Sequence, residues 1–170
     1  MEIITHCQKA LTDWRTFSGR ATRGEFWSFH AMLAVVIISL FIGYFTMLSA
    51  LGIGVGNTFQ EPVMAAYMAL AVTLLVFLLT ASVSVTIRRL HDRNLSGRWY
   101  LAYAVLSLVQ SLWSELAPMT HTGIMIGAGL AATVLFASLV GFLLMCLRGT
   151  DGVNNFGNDP RRPIDLNVFA

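Results

Sequence analysis

Arg88-Arg89-Leu90-His91-Asp92-Arg93-Asn94-Leu95-Ser96-Gly97-Arg98 places four arginines in eleven residues between two long apolar segments. Asn94 with Ser96-Gly97 is turn chemistry, so the stretch reads as a tight helix-to-helix connection. The guanidinium groups and the His91-Asp92 pair are thereby gathered at one membrane surface. Working outward, each flanking segment is long enough to cross a bilayer, which makes this turn the fixed point of the topology.

Composition agrees with that reading. The chain has 170 residues, of which 56% are hydrophobic and only 12% charged, with a mean hydropathy of +0.68. Soluble domains carry about a quarter charged residues. The expectation is an all-α integral membrane protein, a single domain over 1–170 with no room for a separate soluble one. Its spans are expected at about 26–47, 63–87, 99–115 and 124–147, packed as a four-helix bundle. Cys7 and Cys146 stand at no metal-like spacing and read as structural. No cofactor, metal site or nucleic-acid partner is expected.

Before the first span, residues 1–18 repeat apolar side chains at Ile3, Ile4, Cys7, Ala10, Leu11, Trp14 and Phe17, with Glu2, His6, Lys9, Asp13 and Arg15 between them. That spacing predicts an amphipathic helix lying in the headgroup layer as an orienting anchor. Dispersed apolar residues and the lack of a cleavage pattern argue against a secretory signal. Ser18-Gly19 is expected to break this helix. Thr22-Arg23-Gly24-Glu25 then reads as a capping box opening span one, which spans about 33 Å at helical rise. Trp27 and Tyr44 mark its interfaces, and His30 lies one turn inside, where packing is a commoner role than proton relay.

A glycine-rich link, 52–56, leads to Glu61-Pro62, read as a helix start with proline first. Span two is expected to continue as helix to Arg93. Thr73, Thr80, Ser84, Arg88 and His91 share one face, a polar stripe expected to look at protein. Span three is the shortest, beginning after a Ser96 cap with Trp99, Tyr100 and Tyr103. Gln110 is the most polar group inside any span and calls for a partner. Pro118 ends that helix. Span four carries Gly123, Gly127 and Ala131 at four-residue spacing, a stripe suited to close packing within the chain or, failing that, to a homodimer.

All eleven Lys and Arg residues precede span one, lie between spans two and three, or follow span four. The positive-inside rule therefore predicts both termini and the arginine turn in the cytoplasm. The tail, 148–170, holds Asp-Gly, Asn-Phe-Gly and Asp-Pro turns. Its acidic positions do not match a calcium loop, and the expectation is a compact tail whose Asp151 and Asp159 meet Arg20, Arg23, Arg88 or Arg89.

Phe17-Ser18-Gly19-Arg20-Ala21 with Arg23 and Glu25-Phe26-Trp27, then Arg88 to Asp92 with Ser96-Gly97, then Gly149-Thr150-Asp151-Gly152 with Asn154, Phe156-Gly157 and Asp159-Pro160 form three motifs in order. In these the chain resembles the bacterial inner-membrane family called domain of unknown function 805 (DUF805), the YhaH-like proteins. It differs from the family's usual pattern at Thr22 and Arg98. The resemblance implies a small bacterial inner-membrane protein and brings no established activity.

The candidate cluster is Arg20, Arg23, Glu25, Arg88, Arg89, His91, Asp92, Gly97, Asp151, Asn154, Gly157, Asp159 and Pro160, expected in one cytoplasmic layer. His30, Thr80, Ser84 and Gln110 are the candidate intramembrane polar groups. These residues suit an accessory or regulatory protein that binds anionic phospholipids or a membrane-protein partner. The alternative is a small anion transporter or channel with the arginines at its mouth. Against that alternative, no Asp, Glu, Lys or Arg falls near a span's midpoint. Adjacent His91 and Asp92 point about 100° apart on a helix and lack a second ligand pair, so no enzyme is expected.

Overall fold

The computed structural model describes residues 2–50, 60–117 and 120–162. Among the described residues five helices follow one another: α1 (Glu2–Thr12), α2 (Arg23–Ala50), α3 (Gln60–Asp92), α4 (Arg98–Leu116) and α5 (His121–Cys146). Among the described residues there is no strand, only an isolated antiparallel bridge between Asn154 and Gly157. The glycine link 52–56 and Pro118 lie outside the described residues.

Three helices are long and apolar enough to cross a membrane, over Arg23–Ser49, Pro62–Asp92 and His121–Cys146. At 33 residues, α3 is about 50 Å long and outruns a hydrocarbon layer of about 30 Å. α4 has only 19 residues, Arg98, Gln110 and Glu115 among them, and is not one of these three. Burial is inverted relative to a soluble protein. Val35, Phe41, Leu70 and Leu135 are exposed, whereas Arg20, Arg88, Arg89, His91 and Asp92 are buried. Such a surface suits hydrocarbon, and such an interior needs its polar groups paired.

The helices divide between two compact units. The first comprises Met1–Thr16 and Gly24–Val85. Here α1 ends at Thr12, several residues before the expected break at Ser18-Gly19. The chain turns instead, with the Thr16 amide donating to the Asp13 carbonyl at 2.9 Å. The Ser84 hydroxyl of α3 lies 3.0 Å from the Asp13 carbonyl and 2.6 Å from that of Thr16, giving a donor to carbonyls that lie outside any helix. Along α2, Gly43 leaves room for the Tyr67 hydroxyl, which would lie 2.8 Å from a Cβ there and donates to the Leu40 carbonyl. His30 is satisfied at both ring nitrogens. Its Nδ1 faces the Phe26 carbonyl at 2.8 Å and so carries the proton, leaving Nε2 to accept from the Ser82 hydroxyl at 3.0 Å.

α3 is described from Gln60 onward, with Pro62 in the first turn of that range. In the first turn of a helix the N–H groups lack an intrahelical acceptor. Thr73 and Thr80 correct the stripe reading. Both are exposed, and their hydroxyls donate to the Ala69 and Val76 carbonyls of their own helix. Back-bonding of this kind satisfies a hydroxyl with no neighbour at all.

The second unit comprises Phe17–Arg23 and Thr86–Ala170. Between α3 and α4, Asn94 takes the left-handed conformation at φ 58°, and the Leu95 amide returns to the Leu90 carbonyl at 2.9 Å. Gly97 is the N-cap residue of α4 and brings no side chain of its own, while the Ser96 hydroxyl just before it accepts from the Arg98 amide at 3.3 Å. A Cβ at Gly97 would meet Ile87 Cγ2 at 2.8 Å, which explains the glycine. α4 and α5 pack together through Trp113, whose Nε1 donates to the Gly123 carbonyl at 3.1 Å. Gly127 of the small-residue stripe lies against the same indole, so this part of the stripe serves packing within the chain. Tyr103 and Ser138 join the two helices by a hydroxyl pair at 3.0 Å.

Candidate functional site

Asp92, the last residue of α3, is the hub of a buried network lying wholly within the second unit. Arg89 is one turn earlier on the same face, and its Nη1 donates to Oδ2 of Asp92. Arg20 arrives from the 17–23 linker, which is pinned by the Ala21 amide donating to the Arg88 carbonyl at 3.0 Å. Nε and Nη2 of Arg20 lie 3.0 and 2.9 Å from Oδ1. All three side chains are at most 3% exposed. Gly149 runs directly over the carboxylate: a Cβ there would lie 1.8 Å from Oδ2. The next residue, Thr150, donates from its amide and its hydroxyl to the Asp92 carbonyl, at 2.8 and 3.1 Å.

One carboxylate shared by two guanidinium groups leaves positive charge over, and backbone carbonyls take it up. α5 has no basic residue in its last turn, yet its terminal carbonyls, which carry partial negative charge, need donors. Arg89 supplies them to Met145 at 3.2 Å and to Leu147. Arg23 reaches Cys146 at 3.4 Å, and Arg93 reaches Arg148. Two arginines from outside α5, Arg89 and Arg23, thus cap its end, and Arg93 holds the chain just beyond it. Arg20 likewise donates to the tail carbonyls of Thr150, Gly152 and Gly157.

The tail is folded by its own turns. Gly152 and Gly157 have φ of 74° and 128°, a region disfavoured for other residues. Asn154 donates to the His91 carbonyl at 2.9 Å and accepts from the Phe156 amide at 2.9 Å. Phe156 is thereby laid flat on His91, with ring centroids 4.0 Å apart and planes 4° from parallel. Nδ1 of His91 faces the Gly19 carbonyl at 3.1 Å and donates to it. His91 is therefore a packing residue with its donor committed, and Asp92 has both oxygens occupied.

Asp151 and Asp159 do not pair with the buried arginines, contrary to the sequence expectation. Asp159 accepts from Arg161 Nε at 2.9 Å and from the Gly152 amide at 3.3 Å. These bonds hold its carboxyl well below the usual carboxylate range and raise Arg161. Pro160 follows it, half-buried. Asp151 is exposed and meets Arg148 at 3.1 Å and Arg161 at 3.3 Å. Local turns satisfy both aspartates before either can reach Arg20 or Arg89.

Glu25 belongs to the first unit, where it is buried and pairs with Lys9 of α1 at 3.2 Å. Gln110 is half-buried in α4, away from the Asp92 network. No group of three His, Cys, Asp or Glu residues among the described residues could hold a metal ion. The sequence reading missed the capping of α5. Its one available signal was a long apolar helix ending without a basic residue of its own.

The profile of a family described as "Protein of unknown function (DUF805)" matches residues 14–158, a span that contains the whole Asp92 network. The inner membrane protein YhaI of Escherichia coli strain K12 is 28% identical over 164 residues, covering 89% of this chain and 91% of its own length. The protein of the same name from Escherichia coli O157:H7 matches equally. No solved structure matches the chain.

Proposed function

Because the chain belongs to the DUF805 family and is a multipass inner-membrane protein, we propose that it acts as an accessory or regulatory protein presenting a rigid charged face to anionic phospholipid or to a membrane-protein partner. In this reading α4 is a fourth span, the spans form a four-helix bundle, and α1 lies in the headgroup layer with Ile3 and Ile4, both exposed, in the lipid. In the same reading both termini and the arginine-rich turn are cytoplasmic, which the one-sided distribution of basic residues supports.

The observation that carries the proposal is the closure of the Asp92 network. Arg20 and Arg89 are buried and committed to a carboxylate and to carbonyls, which suits a fixed scaffold and leaves them unsuited to the passing contacts of a solute path. Thr80 and His30, the polar groups a path would use, are hydrogen-bonded to their own helix or to Ser82.

Two measurements test this. In a background lacking Cys7 and Cys146, a cysteine at His121 is expected to label with an impermeant thiol reagent from the periplasm, and cysteines at Leu95 or Asn154 to stay unlabelled; labelling of Asn154 from outside overturns the four-span topology. In proteoliposomes, salt-sensitive retention of phosphatidylglycerol or cardiolipin without anion flux is expected. Flux that disappears on replacing Arg88 or Gln110 would establish the transport alternative instead.

A further inference from the structure

Within the second unit, α4, α5 and the end of α3 enclose a cleft of about 770 Å³, in the range of small-ligand sites. Its walls are nearly all apolar and include Leu90, Leu95, Trp99, Tyr103, Ala137 and Gly141. The Tyr103 hydroxyl is already spent on Ser138, so the cleft offers a ligand almost no hydrogen bonding. Charge lies at one end only. Leu90, Leu95 and Trp99 belong to the arginine turn, where Arg93 and Arg98 stand beside them in the chain. Arg98 is exposed and has no ion-pair partner among the described residues. Nε of Arg93 is buried without a hydrogen-bond partner. Trp99, 65% exposed, and Tyr100 mark the level where aromatic rings meet headgroups.

An apolar trough with cations and interfacial aromatics at one end is complementary to one class of molecule. We propose that this cleft holds an acyl chain of an anionic diacyl phospholipid, with the lipid phosphate at the Arg93–Arg98 turn. The proposal rests on the lipid-binding arm of the function above and gives it a location. Gly141 is what keeps the trough open, since a Cβ there would meet nothing within 4 Å. A side chain at this position therefore starts into open space on the cleft wall.

The test is native mass spectrometry of the full chain in micelles supplemented with palmitoyl-oleoyl phosphatidylglycerol or the matching phosphatidylcholine. Wild type is expected to retain one phosphatidylglycerol per chain. Gly141→Phe, at an unchanged melting temperature, is expected to reduce that retention at least about tenfold, the equivalent of excluding two methylenes from an apolar site. Arg98→Gln is expected to keep a bound lipid and lose the preference for phosphatidylglycerol over phosphatidylcholine. A second readout leaves Gly141 in place: acyl-brominated phosphatidylglycerol is expected to quench the fluorescence of Trp99 in the wild-type chain, the Trp99 signal being the part that Trp99→Phe lacks.

Unchanged lipid retention in Gly141→Phe, or no quenching of Trp99, overturns the proposal. So does a dimer that Gly141→Phe converts to monomer with lipid counts unchanged, since a second copy would then be the occupant. If retention stays salt-sensitive while Gly141→Phe has no effect, the cleft assignment falls and the charged-face reading stands. Arginine-dependent flux with Gly141→Phe still losing lipid has the opposite meaning.

Discussion

Asp92→Asn changes one charge and almost no volume, so its effect isolates the electrostatics of the buried network. Among the described residues the carboxylate pairs with both of two guanidinium groups whose side chains are 1% and 0% exposed. Removing one partner of a buried ion pair costs about 3–5 kcal/mol, because the remaining charge is left uncompensated. Two effects pull that figure in opposite directions. Two cations lose their counter-ion rather than one, yet Arg20 keeps the carbonyls of Thr150 and Gly152 and Arg89 keeps those of Met145 and Leu147. The expected loss is therefore about 3 kcal/mol, at the lower end of that range. For a chain of this size each kcal/mol shifts the midpoint by about 2–4 °C, giving a drop of about 6–12 °C. Asp151→Asn is the control: both partners of its pair with Arg148 are more than half exposed, and such pairs contribute about 0–1 kcal/mol. Thermal denaturation of purified protein in detergent, followed by circular dichroism, reads both. If Asp92→Asn melts within about 2 °C of wild type, less than 1 kcal/mol on the same scale, the network is not what holds this face together.

Gly149→Ala is expected to be at least as damaging as Asp92→Asn in the same melt, because its Cβ would lie 1.8 Å from a carboxylate oxygen that Arg20 and Arg89 hold in place; a melt like that of wild type would show that the tail can move aside. For Asp159 the folded carboxyl lies below its ordinary range, so its contribution is complete above that range and is lost as pH falls through the depressed value. Limited pepsin digestion between pH 4 and 3 is thus expected to spare the wild-type tail and to cut Asp159→Asn at the turn joining Gly152 to Arg161. Tyr67→Phe removes the hydroxyl bond to the Leu40 carbonyl and is expected to cost about 1 kcal/mol, read as a small midpoint shift with no change in lipid retention.

The helices were legible because apolar runs, turn residues and interfacial aromatics are local signals. Expected spans of 63–87 and 124–147 became α3 and α5 with ends shifted by a few residues. The end of α1 was not legible, because the group that receives its turn, Ser84, lies 68 residues beyond Thr16. The stripe through Thr73 and Thr80 failed for a different reason. Helical spacing tells which residues share a face and says nothing about what that face meets, and a threonine can spend its hydroxyl on its own helix. The partners of the arginines were hidden more deeply. Opposite charge in the sequence pointed to Asp151 and Asp159, but the acceptors are mostly main-chain carbonyls, which every residue has and no sequence pattern marks.

That choice of acceptor explains why three separate stretches are needed for one site. The 17–23 linker contributes a guanidinium from Arg20 and a carbonyl from Gly19; the end of α3 contributes Asp92, Arg89 and the ring of His91. The tail contributes the carbonyls of Thr150, Gly152 and Gly157 and the ring of Phe156. Without the tail, Arg20 keeps a single carboxylate that it must share with Arg89. Without the linker, the Gly152 carbonyl loses its donor, those of Thr150 and Gly157 keep only Arg161 and the Asn154 amide, and His91 Nδ1 has no acceptor. Buried polar groups are tolerated only when each is satisfied, so no two of these stretches make a stable face without the third. The tail is on this argument a structural member of the unit, held to α3 by the same hydrogen bonds that neutralise the charge buried there.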